Sequence, residues 1–365
     1  MRGEDLDVKV LKKRVTPVCM LPSGKLVAYK TGNILIYQNG GIERKIQIFP
    51  NFKEKYLGRN RYLYRLFRLG IRAAYALDNN HILISKGNHI FELDIQSGTL
   101  SNGFFCGHGI RPLIFSEVNN IPGFKDGVYF GGYLGNMDKK SVPVFRRIDV
   151  DKWEIVYTFP QGAINHVHNI VADKYRDCLW IFTGDFDKAS GIWKVTDNFR
   201  SVEYLVGGNQ KFRGCVVFAL PEGLLYATDA PFADNHIYML DPNTKLTKPL
   251  HDIHGSCIYG CQWRDDYVFS STVEGDGRNM SRKEFYFGRK KGAGIKDDYI
   301  HMYKGTPNRG FIEIYKEKKD TMPFYTFQFG VFKFPYGNNK SDVLYFQPIA
   351  TKKHDLSIME LRERQ

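Results

Sequence analysis

The sequence lacks the short motifs by which several common enzyme classes are recognised. It contains no GxSxG, HExxH, Walker A or GxGxxG sequence. These motifs supply a nucleophilic serine, a zinc-bound water or a phosphate-binding loop. Their absence argues against a serine hydrolase, a zincin metalloprotease and a nucleotide-binding fold.

Long apolar segments are also missing. No run of eighteen or more apolar residues occurs, and the charged start, Met1–Asp7, has no apolar core of a signal peptide. The sequence therefore predicts no membrane span and no export by a standard signal. A cytoplasmic location is expected, and action outside the cell stays open.

Cysteine is sparse, and no CxxC pair is present. The chain has six cysteines in 365 residues, and several lie inside apolar runs such as Cys215-Val-Val-Phe. This pattern predicts free, buried thiols in a reducing compartment rather than a disulfide framework or a zinc ribbon. The positions are Cys19, Cys106, Cys178, Cys215, Cys257 and Cys261.

Acidic residues are in deficit. Lys and Arg number 52 against 39 Asp and Glu, which gives a formal net charge of +13. Such a charge favours an anionic partner, whether nucleic acid, glycan or membrane surface. Basic and aromatic residues alternate over 278–319 and over 53–72. The first segment is expected to be a basic insertion between the sixth and seventh repeats; the second fits either a short helix or a strand.

What the chain does contain is a repeated phrase: a β-type run, a polar loop, and a second β-type run that ends in aspartate. Within the runs, apolar and polar residues alternate with the period of two expected of strands with one buried face. The clearest second runs are His89–Asp94, Pro143–Asp149, Gly191–Asp197 and His236–Asp241.

The spacing of the phrase predicts the fold class. First runs start near residues 26, 82, 128, 180, 225, 268 and 344, so all gaps but the last span 43 to 56 residues. Short strands repeated at about 40 to 55 residues are typical of an all-β β-propeller with one four-stranded blade per repeat. We expect residues 1–365 to form a single propeller domain. Seven blades fit best, and six to eight are compatible with the spacing; a β-sandwich is the alternative.

Polar clusters that precede the first runs are candidates for a site where loops converge on the propeller channel. The sharpest contains His166 and His168, which at i and i+2 on a strand point to one side. They are candidates for a general base, or for two ligands of a divalent metal. A metal would need a further ligand, for which the candidates are His108, His254, Asp185, Asp229 and Glu274.

Other candidates are substrate-binding residues. Asp185, Asp229 and Glu274 come just after first runs and are expected to ring one end of the channel, although such aspartates are often only turn formers. Arg111 and Arg213 offer paired donors to a carboxylate or sulfate. The remaining candidates are Tyr133, Tyr259 and His254, the tyrosines as phenolic acids or sugar-stacking platforms.

Two phrases resemble the Asp-box hairpins of sialidase-like BNR-repeat propellers. They are Arg147-Ile-Asp149-Val-Asp-Lys-Trp153 and Val195-Thr-Asp197-Asn-Phe-Arg-Ser201. The usual pattern is Ser-x-Asp-x-Gly-x-x-Trp; here the glycine is absent, the serine is replaced and one copy keeps the tryptophan.

A longer string, over residues 100–275, resembles bacterial BNR-like propellers that are often associated with surface-polysaccharide genes. Its members are Gly127–Tyr133, Val156–Pro160, His166–His168, Thr183–Asp185 and Tyr226–Asp229. The resemblance implies a propeller that binds or acts on glycans. Propeller polysaccharide lyases supply the model in which His or Tyr removes a proton beside a uronate carboxylate that Arg or a metal neutralises.

Three functions follow as expectations. The first is a lyase acting on an anionic, uronate-containing bacterial polysaccharide, with His166 or His168 as base, Tyr259 as acid or second base, and Arg111 with Arg213 on the carboxylate. The second is a non-catalytic propeller that binds a glycan or another partner, nucleic acid being the less favoured. The third is a metal-dependent glycoside hydrolase. No cofactor is required by the first two, and a divalent metal stays open.

Overall fold

Seven four-stranded antiparallel sheets make up the protein in this computed structural model. The structure describes residues 6–49, 52–278, 280–337 and 339–364, without the side chains of Phe52 and Asp187. The sheets form a seven-bladed β-propeller, which confirms the predicted fold class. Residues 1–5, which belong to the charged start of the chain, lie outside the described residues.

Six blades are built from consecutive strands, with the first strand of each at the centre of the ring. The strands of blades one to three are β2 (Thr16–Met20), β3 (Leu26–Lys30), β4 (Asn33–Gln38), β5 (Gly41–Gln47), β6 (Ala73–Ala76), β7 (His81–Lys86), β8 (His89–Asp94), β9 (Phe104–Phe105), β10 (Ser116–Val118), β11 (Gly127–Gly131), β12 (Val142–Asp149) and β13 (Lys152–Phe159). Those of blades four to six are β14 (His166–Asp173), β15 (Cys178–Gly184), β16 (Gly191–Thr196), β17 (Ser201–Gly207), β18 (Gly214–Leu220), β19 (Gly223–Thr228), β20 (Asn235–Leu240), β21 (Thr247–Ile253), β22 (Cys257–Trp263), β23 (Asp266–Ser271), β24 (Tyr299–Thr306) and β25 (Gly310–Lys318).

The seventh blade closes the ring with both ends of the chain. Its inner strands are β26 (Val331–Lys333), β27 (Leu344–Ile349) and β28 (Ser357–Glu363), and its outermost strand is β1 (Leu6–Lys13). β1 pairs antiparallel with β28, from Leu6 opposite Glu363 to Lys13 opposite Ser357, with a bulge between Val10 and Lys12. The first and last strands are thus hydrogen-bonded to each other.

The core is divided among the blade interfaces. Ile82 and Ile84 of β7 pack against blade one, whereas Leu83, between them, packs against blade three. Alternate residues of one strand therefore enter two different cores, because each blade is stacked between two others. This differs from the expected single buried face. The seven apolar clusters of the described residues correspond to the seven interfaces.

The two basic stretches take different structures. Residues 52–66 are helical, with α1 (Phe52–Tyr56), a 3-10 turn (Leu57–Arg59) and α2 (Arg61–Leu66) between blades one and two. The 278–319 segment is not an insertion between blades six and seven: its second half forms β24 and β25, and residues 272–298 connect the second and third strands of blade six. That connection carries α3 (Arg282–Phe287), and α4 (Phe324–Phe327) follows blade six.

The remaining single-turn elements are short. They are 3-10 turns at Asp187–Ala189, Asp197–Phe199 and Gln210–Phe212. In the described part of the chain, no helix is long and apolar enough to cross a membrane. The six cysteines are free thiols, and all but Cys261 are buried, as predicted.

Candidate functional site

The candidate site lies at one end of the channel. In an antiparallel blade, the start of the innermost strand lies beside the end of the second strand. His166 begins β14 and Arg213 immediately precedes β18, while Asp185 and Asp229 directly follow β15 and β19. The fold therefore gathers these residues at the same end of blades four and five.

Asp185 is the meeting point of three cationic or titratable groups. Its Oδ1 lies 3.2 Å from His166 Nε2, 3.4 Å from His168 Nε2 and 3.0 Å from Arg213 Nη2. Although burial favours the neutral acid, His166 and Arg213 hold the pKa of the Asp185 carboxyl well below its usual value. Arg213 also contacts Asp229, with both Nε and Nη2 at 3.2 Å from Oδ2.

The two histidines are arranged to share a proton. His166 Nδ1 faces the Leu134 carbonyl at 2.8 Å and His168 Nδ1 faces the Gly214 carbonyl at 3.3 Å. Because a carbonyl only accepts, each Nδ1 has to carry the hydrogen. The Nε2 atoms then face each other at 3.1 Å and both face Asp185. Two unprotonated Nε2 atoms would repel each other there, so at least one proton or another cation has to lie between them.

His168 is neutral near neutral pH because its surroundings lower its pKa. Burial, opposed by the Asp185 carboxylate and reinforced by His166, lowers the pKa of His168. Its ring packs onto Gly184: a Cβ at that position would lie 2.3 Å from the imidazole Cε1. Glycine at the end of β15 is therefore what allows the ring to approach the channel.

The acidic side of the site continues into blade six. Asp229 is 4% exposed, and its Oδ1 has no hydrogen-bond partner among the described residues. Cys215 Sγ lies 3.5 Å from Asp229 Oδ2. Burial and the Asp229 carboxylate together raise the pKa of Glu274 to about 8, so Glu274 is mainly protonated at neutral pH. The predicted acidic residues thus adjoin one another, and Arg213 holds two of them.

The other side of the channel end is cationic. Arg72 and Arg111 have guanidinium carbons 5.1 and 5.8 Å from the centre of the Tyr133 ring. The Nε atom of each is buried without a hydrogen-bond partner in the described part of the chain. Burial lowers the pKa of Arg111. The nearby charge of Arg72 lowers this pKa further, and Tyr133 partly offsets both effects. Burial and the nearby Arg72 lower the pKa of Lys333 to about 7.

Arg72 and Lys333 were not identified as candidates from the sequence. Arg72 directly precedes β6 and Lys333 ends β26, so both lie on innermost strands or just before them. The position equivalent to Arg213, one residue before an innermost strand, is a signal that points to Arg72. No comparable signal marks Lys333, whose Nζ donates to the carbonyls of Ile71 and Arg72 at 3.2 and 3.0 Å.

Tyrosines separate the two sides. The Tyr133 ring centre lies 4.3 Å from that of His166, and Tyr133 pairs with Arg111 through a β-bridge. Burial raises the pKa of Tyr259, and Arg72 partly offsets this. Tyr259, His168 and Cys215 line a cavity of about 230 Å³ along the channel. Tyr336, which also lines it, was not predicted; its Oη donates to the Arg72 carbonyl at 3.0 Å.

His254 lies in a different cluster. Its Nδ1 contacts Asp297 Oδ2 at 2.8 Å, and His301 Nε2 lies 3.0 Å from the same carboxylate. His254 is thus paired with the connection that precedes β24. His108, another candidate ligand, packs edge-on against Phe105, with ring centres 5.3 Å apart.

A divalent cation fits the channel histidines poorly. Donor atoms of His166, His168 and Asp185 do lie within 4.8 Å of one another, as a metal site requires. However, the Asp185 oxygen that faces both rings is also contacted by the Arg213 guanidinium, whose charge would repel a metal ion at that point. The donor set is better suited to a proton.

Comparisons with known proteins find similarity at the level of structure. No protein-family model and no curated protein sequence matches this chain. A chain of a crystal structure of the mitotic checkpoint complex matches with a TM-score of 0.55 and 12% identity over 98% of this chain and 91% of that one.

Two further solved structures give similar values. The Cps50 (Swd1) β-propeller domain of Myceliophteria thermophila has a TM-score of 0.54 and 11% identity, covering 98% of this chain and 99% of that one. The extracellular domain of a putative hybrid two-component system from B. thetaiotaomicron has a TM-score of 0.54 and 9% identity over 98% of this chain; the match spans 39% of that chain. At these identities the likeness establishes the propeller fold alone.

Proposed function

We propose that this protein is a carbohydrate-active propeller that cleaves an anionic, uronate-containing bacterial polysaccharide by β-elimination at the channel end. The observation that carries the proposal is the contact of Tyr133 with both sides of the site. Its ring lies against His166 and within reach of the guanidinium groups of Arg72 and Arg111. Groups suited to holding a carboxylate thus lie beside groups suited to moving a proton.

Arg72 and Arg111 are the groups that bind the uronate carboxylate. Arg213 is less suited to this role than the sequence suggested, because Asp185 and Asp229 already occupy its nitrogens. An unpaired guanidinium offers two parallel donors to a carboxylate. Neutralising that carboxylate acidifies the hydrogen on the adjacent carbon, which is the hydrogen that elimination removes.

The His166–His168 pair is the base. The lowered pKa of His168 keeps its imidazole neutral, so its Nε2 can take up the proton when the hydrogen shared by the pair resides on His166. Removal of that proton breaks the C–H bond, its electrons form the new C=C bond, and the C–O bond to the leaving sugar breaks. Tyr259 or Tyr133 donates the proton to the leaving oxygen; the raised pKa of Tyr259 keeps its phenol protonated for that purpose.

A non-catalytic glycan-binding propeller is the second candidate. It is favoured by the burial of both imidazoles, which are 3% and 2% exposed. Buried rings that satisfy backbone carbonyls also fit a purely structural role. A metal-dependent hydrolase has less support, because Arg213 occupies the carboxylate oxygen between the histidines.

The test is incubation of the protein with a panel of uronate-containing bacterial polysaccharides. The ultraviolet absorbance of the conjugated product and the appearance of reducing ends are followed together. We expect both signals to rise for the wild type, and His168→Ala and Arg72→Ala to lower the rate at least about 100-fold. His236→Ala is the matched control, since His236 forms a surface pair with Asp252 and should leave the rate unchanged.

Other results of the polysaccharide assay would favour a different function. Reducing ends without the absorbance would indicate hydrolysis and would overturn elimination. Neither signal, with firm retention on one glycan, would establish the binding module instead. Full activity in both His166→Ala and His168→Ala would remove the assigned base.

A further inference from the structure

A second group of two histidines and one carboxylate lies at the junction of blades five and six. His254 follows β21, Asp297 lies just before β24, and His301 is the third residue of β24. One donor atom from each of the three lies within 4.8 Å of the other two. The group does not use any residue of the channel site and is independent of the proposed function.

The spacing of the donor atoms suits a small divalent ion. Asp297 Oδ2 lies 2.8 Å from His254 Nδ1 and 3.0 Å from His301 Nε2. Ligand atoms at about 2.0–2.1 Å from a tetrahedral zinc ion lie about 3.3–3.4 Å apart. The two contacts of Asp297 have to open by about 0.3 to 0.6 Å to admit the ion, and the donor atoms of the two histidines lie within 4.8 Å of each other.

The second nitrogen of His301 is held as in many metal sites. His301 Nδ1 contacts Glu313 Oε2 at 2.5 Å. A carboxylate on the outer nitrogen fixes the tautomer that leaves Nε2 free to bind a metal. In this 2%-exposed ring, Nδ1 faces the carboxylate of Glu313 and Nε2 faces that of Asp297.

Backbone contacts hold the three residues in place. The Lys296 amide donates to the His254 carbonyl at 2.9 Å, and the Tyr299 amide donates to Asp297 Oδ1 at 2.7 Å. The His301 amide donates to Ser271 Oγ at 2.8 Å. The backbones of His254 and His301 and the carboxylate of Asp297 are therefore held in place before any ion binds, which lowers the ordering cost of binding.

The group of His254, Asp297 and His301 has the same composition as the channel group of His166, His168 and Asp185, but its carboxylate has different partners. Asp185 is bonded to a guanidinium, whereas the ion-pair partners of Asp297 in the described residues are the two histidines. The side chains of His254 and Asp297 are also 42% and 35% exposed. Solvent therefore reaches the site, and coordination positions stay available for water or another ligand.

We propose that His254, Asp297 and His301 bind one divalent transition-metal ion of the zinc class, with Glu313 positioning His301 and water completing the coordination. The ion links the 272–298 connection, through Asp297, to β24 and to the segment after β21. Two imidazole nitrogens and one carboxylate are a ligand set that zinc prefers.

The test uses the full chain after treatment with a chelator. Zn²⁺ is added by equilibrium dialysis and its stoichiometry measured, and Co²⁺ is added in parallel to record visible absorption bands. We expect one ion per chain in the wild type, and at least a tenfold loss of affinity in His254→Gln and in Asp297→Asn. His168→Gln, in the channel group, and His236→Gln, in the His–Asp pair with Asp252, serve as controls that keep the ion.

Three results would overturn the site. They are the absence of binding by the wild type, unchanged binding by Asp297→Asn, and loss of the ion in His168→Gln instead. Circular dichroism and the unfolding temperature of the metal-free variants show whether they fold. His254→Gln changes a partly exposed side chain, so it tests the site even where another variant unfolds.

Discussion

Arg213 and Arg111 have the same side chain and opposite surroundings. Arg213 is 9% exposed and bonded to Asp185 and Asp229, whereas the buried Nε of Arg111 has no partner in the described part of the chain. A buried, paired guanidinium mainly neutralises its partners; an unpaired one is available to an anionic ligand. At the residue scale, the chemistry of the channel thus depends on which charges are already satisfied.

Glu274 provides a test of this charge arrangement through stability. Its pKa rises from 4.5 to about 8 on folding, so the folded state holds a proton that the unfolded state releases between these values. The stability contributed by the neutral acid is complete below pH 4.5 and is lost as the pH rises through about 8. Glu274→Gln, which cannot ionise, should therefore gain about 2 to 4 kcal/mol relative to the wild type between pH 5 and 9.

Urea unfolding at several pH values measures this difference. Glu222→Gln changes an exposed carboxyl and is the control; its stability should follow that of the wild type at every pH. Parallel curves for the wild type and Glu274→Gln would show that the pKa of Glu274 is not raised on folding.

At the scale of elements, the helices are held by contacts that differ from those of the blades. Asn60 caps α2, its side chain accepting from the amides of Tyr62 and Leu63. Arg65 of α2 is fully buried, and its Nη1 contacts Asp320 and Asp355 at 2.5 and 3.2 Å. The helical segment after blade one is thereby fixed to the loops around blade seven, which places Arg72 at the channel.

The closing strand β1 gives a prediction at this scale. Val8 on β1 and Val202 on β17 are both half-buried, lie on outermost strands, and pack at the edge of an inter-blade cluster. β17 is joined to its neighbour β16 by a short turn, whereas β1 pairs with β28 at the far end of the chain. Proline has no backbone N–H, so in a β-ladder it removes a hydrogen bond.

Val8→Pro should consequently lower the unfolding temperature more than Val202→Pro. Loss of pairing in β1 opens the ring, while loss of pairing in β17 weakens one blade edge. Differential scanning calorimetry compares the two variants. Equal shifts in the unfolding temperature of the two variants would mean that the pairing of β1 with β28 is not what keeps the ring closed.

At the scale of the whole molecule, the propeller brings together cations that are far apart in sequence. Arg72, Arg111 and Lys333 come from blades two, three and seven, and the chain carries a net charge of +13. Charges of one sign focused at one end of a channel raise the local concentration of anionic ligands. The overall charge predicts such a ligand, and the ring gathers these three cations at one end of the channel.

We predict that Lys333 makes the proposed binding of an anionic ligand pH-dependent. Its pKa is lowered to about 7, and a bound carboxylate would favour the charged form. At pH 8, binding of a uronate oligosaccharide should therefore take up a proton, and affinity should fall as the pH rises above 7. Titration calorimetry in two buffers of different ionisation enthalpy measures the uptake.

Two lysine variants distinguish proton uptake by Lys333 from an effect of the overall positive charge of the protein. Lys333→Met should abolish the proton uptake, and Lys353→Met, which removes an exposed lysine, should preserve it. Uptake that persists in a folded Lys333→Met protein would assign the titrating group elsewhere.

Much of the architecture was available from the sequence. The seven predicted run starts fall on the second strands of the seven blades, because a short run of β-forming residues bounded by turn residues is a local property of the chain that every blade repeats. The free cysteines were also predicted correctly. The helix α3 was missed, although Ser281 and Glu284 form a capping box that was present in the sequence as S-x-x-E.

The partners of the polar residues were decided by tertiary structure. The sequence paired His166 with His168 and named Asp185 as a possible third ligand; neighbouring strands of blade four bring these three together, and the ring adds Arg213 from blade five. The same ring placed His254 in a separate cluster with Asp297. Strand periodicity specifies which face a residue occupies, but charge pairing depends on side chains from different blades. The sequence by itself therefore determined the blades, and only their closure into a ring decided which charges are neutralised and which remain available to bind a ligand.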